Sequence, residues 1–331
     1  MPGPRCELRE LSEVFYLWDN WIAFDPEAGV YHRYLLSAPR EVSPEARHAL
    51  ARIRHATSRC GTRWRDRGEL LPPGRPGAFD DVAIWTGTTV IEGGRFALFY
   101  TGVSAPDRLE QAIGLATSPD GFTYEKRESP VLEPRAELGY DPGDGDGVIM
   151  AWRDPHVARD PRTGVWHMVF ACKRDGPSPR GAIGHAVTSD PSFQTWELCP
   201  PLALPARFVQ AEVPAIVFTE HGVLLTLSTK DAERDGAAVS GSAWRAFVAP
   251  APSGPWRAAS AGPLLRPSDR IYGARPFSGP RGMEAVAFFA PDHPRGLSPT
   301  GIAAFALSPE PHVDREAWER EGREGAFGSP D

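Results

Sequence analysis

The sequence has little of what marks membrane, metal-binding or disulfide-bonded proteins. No stretch of its 331 residues approaches the roughly 18 apolar residues of a membrane span. The four cysteines are scattered, with no CxxC pair and no histidine at zinc-ligand spacing: Cys6, Cys60, Cys172 and Cys199. We therefore predict free thiols, no metal and no other cofactor. The N-terminal segment MPGPRCELRELSEVF has no apolar signal-peptide core, so we expect a cytoplasmic protein.

The chain also has no excess of positive charge. Its 36 basic and 43 acidic residues give a net charge of −7, and no basic cluster is interleaved with aromatic residues. Nucleic acid and membrane are therefore not expected as partners. The sequence gives no indication of the oligomeric state.

Helical periodicity is scarce as well. The best candidate is SPEARHALARIRH at 43–55, where Ser43 would cap the helix and Pro44 would be its first residue. We expect this helix in a loop of the first repeat.

Short apolar and aromatic runs with strand alternation fill the chain, and each follows a turn glycine. These glycines recur at intervals of 58 to 70 residues: Gly29, Gly94, Gly164, Gly222 and Gly282. A second landmark, an aromatic residue closing segments such as IGLATSPDGFTY, keeps the same period at Trp64, Tyr124, Trp196 and Trp256. Units of about 60 residues with three or four strands bury their faces by stacking around an axis. We predict an all-β, five-bladed β-propeller with a central funnel-shaped site, forming one domain over 1–331, with a core at 14–310 and a tail at 311–331.

Three acids share one offset in this repeat. Asp19, Asp154 and Glu212 each lie 10 residues before a turn glycine. Because equivalent strands of a propeller take equivalent places, we expect all three on innermost strands, facing the channel. A single acid there would be explained by capping a strand, but three converging carboxylates favour chemistry. A calcium site at DPGDGDG (141–147) is less favoured than a surface turn, because the ligand spacing is incomplete.

Carboxylates in a pocket lined by tryptophan suit glycoside cleavage. The motifs LWDNW (17–21), WTGT (85–88), WRDPH (152–156) and AEVP (211–214) together resemble the glycoside hydrolase clan of families 32 and 68. WDNW and RDPH are most similar to family 68, the levansucrase type. The clan also includes the invertases and is related to family 43.

This resemblance implies roles for individual residues. Asp19 would be the nucleophile of a retaining double displacement, Glu212 the general acid/base with a raised pKa, and Asp154 the stabiliser of the transition state. The residues expected to bind the sugar are Trp18, Trp21, Trp85, Thr86 and Arg153, together with Arg275 of the YGARPF segment, where Tyr272 is an alternative. The histidines His55, His156 and His185 are interpreted as hydrogen-bonded structural residues.

The expected function is a glycosidase or fructosyltransferase acting on a small β-fructofuranoside such as sucrose. Two alternatives stay open at this point. One is an inverting arabinofuranosidase or xylosidase of the family 43 type, and the other is a non-catalytic sugar-binding propeller.

Overall fold

The computed structural model describes residues 8–105, 109–141, 151–176, 180–234, 237–260, 262–306 and 311–313. Within these ranges the strands follow one another as five antiparallel meanders of four. The first comprises β1 (Phe15–Asp25), β2 (Val30–Pro39), β3 (Arg52–Ser58) and β4 (Arg65–Leu71); the second β5 (Ala83–Glu92), β6 (Arg95–Ser104), β7 (Glu110–Ser118) and β8 (Glu125–Lys126). The third comprises β9 (Trp152–Arg159), β10 (Trp166–Lys173), β11 (Gly181–Thr188) and β12 (Glu197–Cys199). The fourth comprises β13 (Arg207–Thr219), β14 (Gly222–Arg234), β15 (Ala237–Ala249) and β16 (Arg257–Ala258), and the last β17 (Ile271–Gly279), β18 (Gly282–Phe289), β19 (Ala303–Ala306) and β20 (His312–Val313).

The turn glycines lie where the sequence predicted them, at the hairpin that joins the first and second strands of each meander, and Gly222 and Gly282 are the first residues of the second strand. All five have a positive φ: 62° at Gly29, 71° at Gly94, 76° at Gly164, 140° at Gly222 and 100° at Gly282. Glycine adopts this conformation without the steric cost that a Cβ atom imposes. The repeat therefore reflects a glycine with positive φ at the hairpin of each meander, although the hairpins differ in length.

The first strands of the meanders form a closed ring. β1 contacts β5, β5 contacts β9, β9 contacts β13, β13 contacts β17, and β17 returns to β1. Apolar side chains of neighbouring meanders pack between the sheets, as where Tyr34 and Leu36 meet Leu98 and Tyr100. This is a β-propeller, so the predicted all-β fold is confirmed.

The predicted helix at 43–55 is wrong. Residues Ala46–Leu50 form a single 3₁₀ turn. From Arg52 onward the segment belongs to β3, which pairs with β2 over its whole length. Hydrogen bonding to the sheet and burial of Ile53 and His55 outweigh the local helix signals. A helix that the sequence analysis missed, α1 (Leu8–Val14), precedes β1, and further 3₁₀ turns occupy Ala136–Leu138 and Pro267–Asp269.

Some predictions fall on segments outside the described residues. These include Cys6, most of the 141–147 turn and the tail from 314 onward. Asp141, the described end of that turn, forms an ion pair with Arg180. Cys60, Cys172 and Cys199 have free thiols. In the described part of the chain, no helix is long and apolar enough to cross a membrane.

Candidate active site

A β-bulge interrupts each of the five inner strands near the same end. In β1 and β5, the extra residues are Asp19 and Thr86. In β9, β13 and β17, two residues oppose one on the partner strand: Asp154 and Pro155, Val213 and Pro214, Gly273 and Ala274. A bulge bends its strand and redirects the side chains next to it. The five bulges therefore bring side chains from all meanders to one place.

These side chains fall into two sets according to their place in the strand pairing, which we call the ladder position. The first residue of each bulge forms the bulge set: Asp19, Thr86, Asp154, Val213 and Gly273. The residue just before each bulge forms the pre-bulge set: Trp18, Trp85, Arg153, Glu212 and Tyr272. The shared offset of 10 residues thus does not mean equivalent positions, which corrects the sequence argument. The connections differ in length, since 160–165 join β9 to β10 but only 220–221 join β13 to β14. All three acids nevertheless lie on inner strands, as predicted.

Asp19 sits within the bulge set and retains partial exposure. The Thr86 hydroxyl donates a hydrogen bond to its Oδ2 at 2.6 Å. On the other side lies Gly273, with a φ of 63°, where an added Cβ would come within 2.8 Å of Asp19 Oδ1. Glycine at this position leaves room for the carboxylate.

Asp154 is 3% exposed and adopts a φ of 58°. Its Oδ2 accepts a hydrogen bond from the backbone N–H of Val213 at 3.0 Å, and its own N–H donates to Thr101 Oγ1 at 2.9 Å. Val213 has a φ of 50°, which is a strained conformation for a β-branched residue. The strain therefore lies at the point where one meander holds the carboxylate of another.

Glu212 is held by a cation and a phenol. Arg153 Nη2 lies 2.7 Å from Glu212 Oε1, and the Tyr272 hydroxyl donates to the other carboxylate oxygen. Arg153 also lies 3.7 Å from Asp154 Oδ2, and its Nη1 donates to Gln111 Oε1 at 3.1 Å. One arginine thus links two of the three acids.

The pKa values of the two aspartates are both raised. Burial and the charge of Asp154 raise the pKa of Asp19 to about 7, despite the hydrogen bond from Thr86. Burial also raises the pKa of Asp154, although Arg153 opposes the shift.

The predicted rise in the pKa of Glu212 is wrong. Burial alone would raise this pKa, but the charges of Arg153 and Lys230, with the hydrogen bond from Tyr272, outweigh burial and leave it below its usual value. The sequence analysis considered only the neighbouring acids.

Two predicted sugar-binding tryptophans lie beside the acids. Trp18 and Trp85 both pack edge-on against the His48 ring, with centroids 6.1 and 5.7 Å away. The Trp85 indole N–H donates to the His48 carbonyl at 2.7 Å, and the Arg47 guanidinium lies 5.5 Å from the Trp18 ring. The 3₁₀ turn of the first meander therefore supports this aromatic wall.

The structure does not bring Trp21 to the acids. Its indole N–H donates to Thr89 at 3.1 Å, and its ring stacks on Tyr34 with centroids 5.3 Å apart. Trp21 instead lines a cavity of about 390 Å³ beyond the bulges, together with His156 and Arg275. Arg275 is buried beneath the acids, and contact with a sugar stays a prediction.

The histidines have structural partners, in agreement with their interpretation. His55 pairs with His32 at 3.1 Å and His185 with His167 at 3.0 Å, each in a stacked arrangement. His156 Nδ1 accepts the N–H of Ile216 at 3.3 Å.

Sequence reasoning missed three residues that shape the site: Gln111, His48 and Lys230. No motif marks them. Tyr272, considered only as an alternative, does carry a signal, because it also lies 10 residues before a turn glycine, Gly282.

The model of the glycosyl hydrolases family 32 N-terminal domain matches residues 24–243. The chain belongs to this family. The matched segment of this family 32 chain contains Asp154 and Glu212 and begins just after Asp19.

Among curated relatives, levansucrase LscA of Pseudomonas savastanoi pv. glycinea is 28% identical over 251 residues, covering 67% of this chain and 60% of the relative. The insoluble β-fructofuranosidase isoenzyme 7 of Oryza sativa subsp. indica is 28% identical over 166 residues, covering 48% of this chain and 26% of the relative. The chain thus spans about three-fifths of the levansucrase and about a quarter of the β-fructofuranosidase.

Solved structures share the fold of the family 32 chain. An inulosucrase from Halalkalicoccus jeotgali bound to kestose superimposes with a TM-score of 0.73 at 22% identity, covering 100% of this chain and 94% of that structure. Bacillus subtilis levansucrase superimposes with a TM-score of 0.70 at 14% identity, covering 92% and 87%. Membership in the clan of families 32 and 68, expected from the motifs, is confirmed.

Proposed function

We propose that this chain is a retaining β-fructofuranosidase or fructosyltransferase that acts on a small β-fructofuranoside such as sucrose. The observation that carries this proposal is the convergence of three carboxyls and Arg153 at the bulges of a family 32 chain. We take each meander as one blade of a single five-bladed domain. Family 43-type inversion and sugar binding without catalysis are left as outcomes of the test.

In the proposed reaction, the Asp19 carboxylate attacks the anomeric carbon of the fructosyl group while the bond to the leaving oxygen breaks. Glu212 gives its proton to that oxygen. Glu212 then takes a proton from water or from an acceptor sugar, whose oxygen attacks the same carbon and releases Asp19. Asp154 and Arg153 hold sugar hydroxyls, and Trp18 and Trp85 form the pocket wall.

The distribution of one proton between Asp19 and Glu212 adds a constraint. The reactive form carries one proton on the Asp19 and Glu212 pair, and this proton must be on Glu212. Because the pKa of Asp19 is about 7 and that of Glu212 is lowered, the proton resides mainly on Asp19 before the sugar binds. The singly protonated pair exists between these two pKa values, so kcat/KM should fall both below the pKa of Glu212 and above about 7.

A substrate panel tests the proposal. Sucrose, raffinose, short fructans and a nitrophenyl arabinoside are incubated with the protein, and NMR follows the anomer released first. We expect release of fructose or its transfer from sucrose or raffinose, with retained configuration, and no turnover by Asp19→Ala. An inverted first product would reject the retaining mechanism. Saturable sugar binding without turnover would reject the proposal that the chain is an enzyme.

A further inference from the structure

Arg275 is a buried cation at the centre of the ring of inner strands. It is 1% exposed and follows the bulge of β17 directly. The corresponding residues, the first to pair after the bulge in β1, β5, β9 and β13, are Asn20, Gly87, His156 and Ala215. Arg275 is therefore the longest side chain among the five residues that follow the bulges.

The guanidinium joins three meanders through backbone carbonyls. Nη1 donates to the carbonyl of Gly87 at 2.6 Å and to that of Pro155 at 3.3 Å, and Nη2 donates to that of Asp154 at 3.1 Å. Gly87 follows Thr86, which donates to Asp19. Two of the accepting carbonyls therefore belong to the bulge of Asp154, and the third lies directly after the bulge of Thr86.

The fork of donors is specific to arginine. A planar guanidinium directs several N–H groups along fixed directions, whereas a lysine ammonium is a point charge. Nε of Arg275 is buried without a partner among the described residues. Burying a charged group that is incompletely hydrogen-bonded is costly, which argues for a role that offsets the cost.

The charge also acts on the acids above it. Burial lowers the pKa of Arg275 to about 10, so the group stays charged at neutral pH, and Asp154 and Asp19 oppose that shift. In return, the Arg275 charge lowers the pKa of both acids. The other charged or titratable groups acting on these two acids are Glu212, Arg153, Arg47 and Tyr272.

We propose that Arg275 is a positioning residue, which fixes the backbone of the Thr86 and Asp154 bulges through its fork and balances the acids through its charge, without touching the sugar. This inference refines the proposed function and rests on it for its kinetic readouts. It also replaces the expectation that Arg275 binds substrate.

The test separates charge from geometry with two variants. Arg275→Lys keeps the charge but loses the fork, so kcat should fall about tenfold or more. KM should stay near the wild-type value, as should the acidic and basic limbs of the pH profile of kcat/KM. Arg275→Gln loses the charge, so the Asp19 pKa should rise by about one unit or more, and the basic limb of kcat/KM should move up with it.

The Asp19 pKa is read independently of turnover by NMR titration of ¹³C-labelled aspartate carboxyls, with Asp19→Asn assigning the signal. If wild type turns over no fructoside, the proposed function fails while this titration still tests Arg275. Arg33→Lys is the matched control, because Arg33 is also 1% exposed and binds Asn20 Oδ1 and the Thr300 carbonyl. It should lower Tm and leave the Asp19 titration unchanged.

Three results would overturn the proposal. One is Arg275→Lys with wild-type kcat. Another is a folded Arg275→Gln whose Asp19 titrates as in wild type. The third is an equal shift of the Asp19 titration in Arg33→Lys, which would reduce Arg275 to a packing role. If Arg275→Gln does not fold, the kcat of Arg275→Lys decides, and a selective change in KM there would instead indicate sugar contact.

Discussion

Asp19 and Glu212 differ in their surroundings although both lie at bulges of inner strands. Asp19 belongs to the bulge set, where its near neighbours are a hydroxyl, a glycine and another acid, and its pKa rises to about 7. Glu212 belongs to the pre-bulge set, where Arg153, Tyr272 and Lys230 stabilise the carboxylate and lower its pKa. A shift of one ladder position therefore separates an acid whose pKa is raised from one whose pKa is lowered.

Replacing the two carboxyls should give the largest effects and separate their roles. We expect Asp19→Asn to lower kcat/KM on sucrose by at least about 10⁴-fold, since no covalent intermediate forms. Glu212→Gln should lower it by about 10² to 10⁴-fold, the usual contribution of a general acid. Fructosyl fluoride, whose leaving group needs no proton, should restore formation of the fructosyl intermediate in Glu212→Gln alone. Rapid-quench measurement of fluoride release checks this, and equal rescue of both variants would contradict the assignment.

Thr86 provides a test confined to Asp19. Thr86→Val removes the hydroxyl that donates at 2.6 Å, and a hydrogen bond to a charged group contributes about 1.5–3 kcal/mol. The pKa of Asp19 should rise by about one unit, so the basic limb of kcat/KM should move to higher pH by the same amount. The maximal kcat/KM should fall about tenfold, because less of the proton resides on Glu212. Thr86→Ser, which keeps the hydroxyl, is the control, and a shifted acid limb in Thr86→Val would contradict the comparison.

Tyr272 provides the corresponding test for Glu212. Tyr272→Phe removes the donor to the carboxylate, so the pKa of Glu212 should rise and the acid limb of kcat/KM should move to higher pH. A larger share of protonated Glu212 partly offsets the lost orientation, so the maximum should fall only about threefold. A pH profile of kcat/KM from 3 to 9 measures both quantities. Movement of the basic limb alone would show that Tyr272 acts on Asp19 instead.

Gln111 should have the smallest effect, because it acts on Glu212 through Arg153. Gln111→Met removes the acceptor of Arg153 Nη1 and of the Trp152 N–H. The bond from the charged guanidinium contributes about 1.5–3 kcal/mol, but Glu212 still holds Arg153, so kcat/KM should fall only a few-fold, with Tm lowered by a few degrees. The basic limb, which reports Asp19, should stay in place. Thermal melts and the pH profile check these outcomes, and an unchanged kcat/KM would remove Gln111 from the site.

The sequence alone predicts the repeat, the turns and the three acids on the inner strands. Hairpin glycines and strand alternation are local signals, because a positive φ and a two-residue side-chain period are properties of short segments. The same local reasoning failed at 43–55, where pairing of β3 with β2 outweighs helix propensity. The motifs around Asp19, Asp154 and Glu212 identified the clan for the same local reason.

The tertiary structure alone shows how the acids divide the proton and which residues support them. The connections after the inner strands differ in length, so an offset counted along the chain does not define a ladder position. Tyr272 and Arg275 act from the last meander, and Lys230 from a second strand, on groups 18 to more than 100 residues away. Because the bulge at Asp19 adds a residue, Trp21 lies two ladder positions beyond Trp18, on the same face of the sheet but further along β1, where it lines the cavity beyond the bulges. Electrostatic coupling depends on distance through space and on burial, and both are set only when the ring of strands closes.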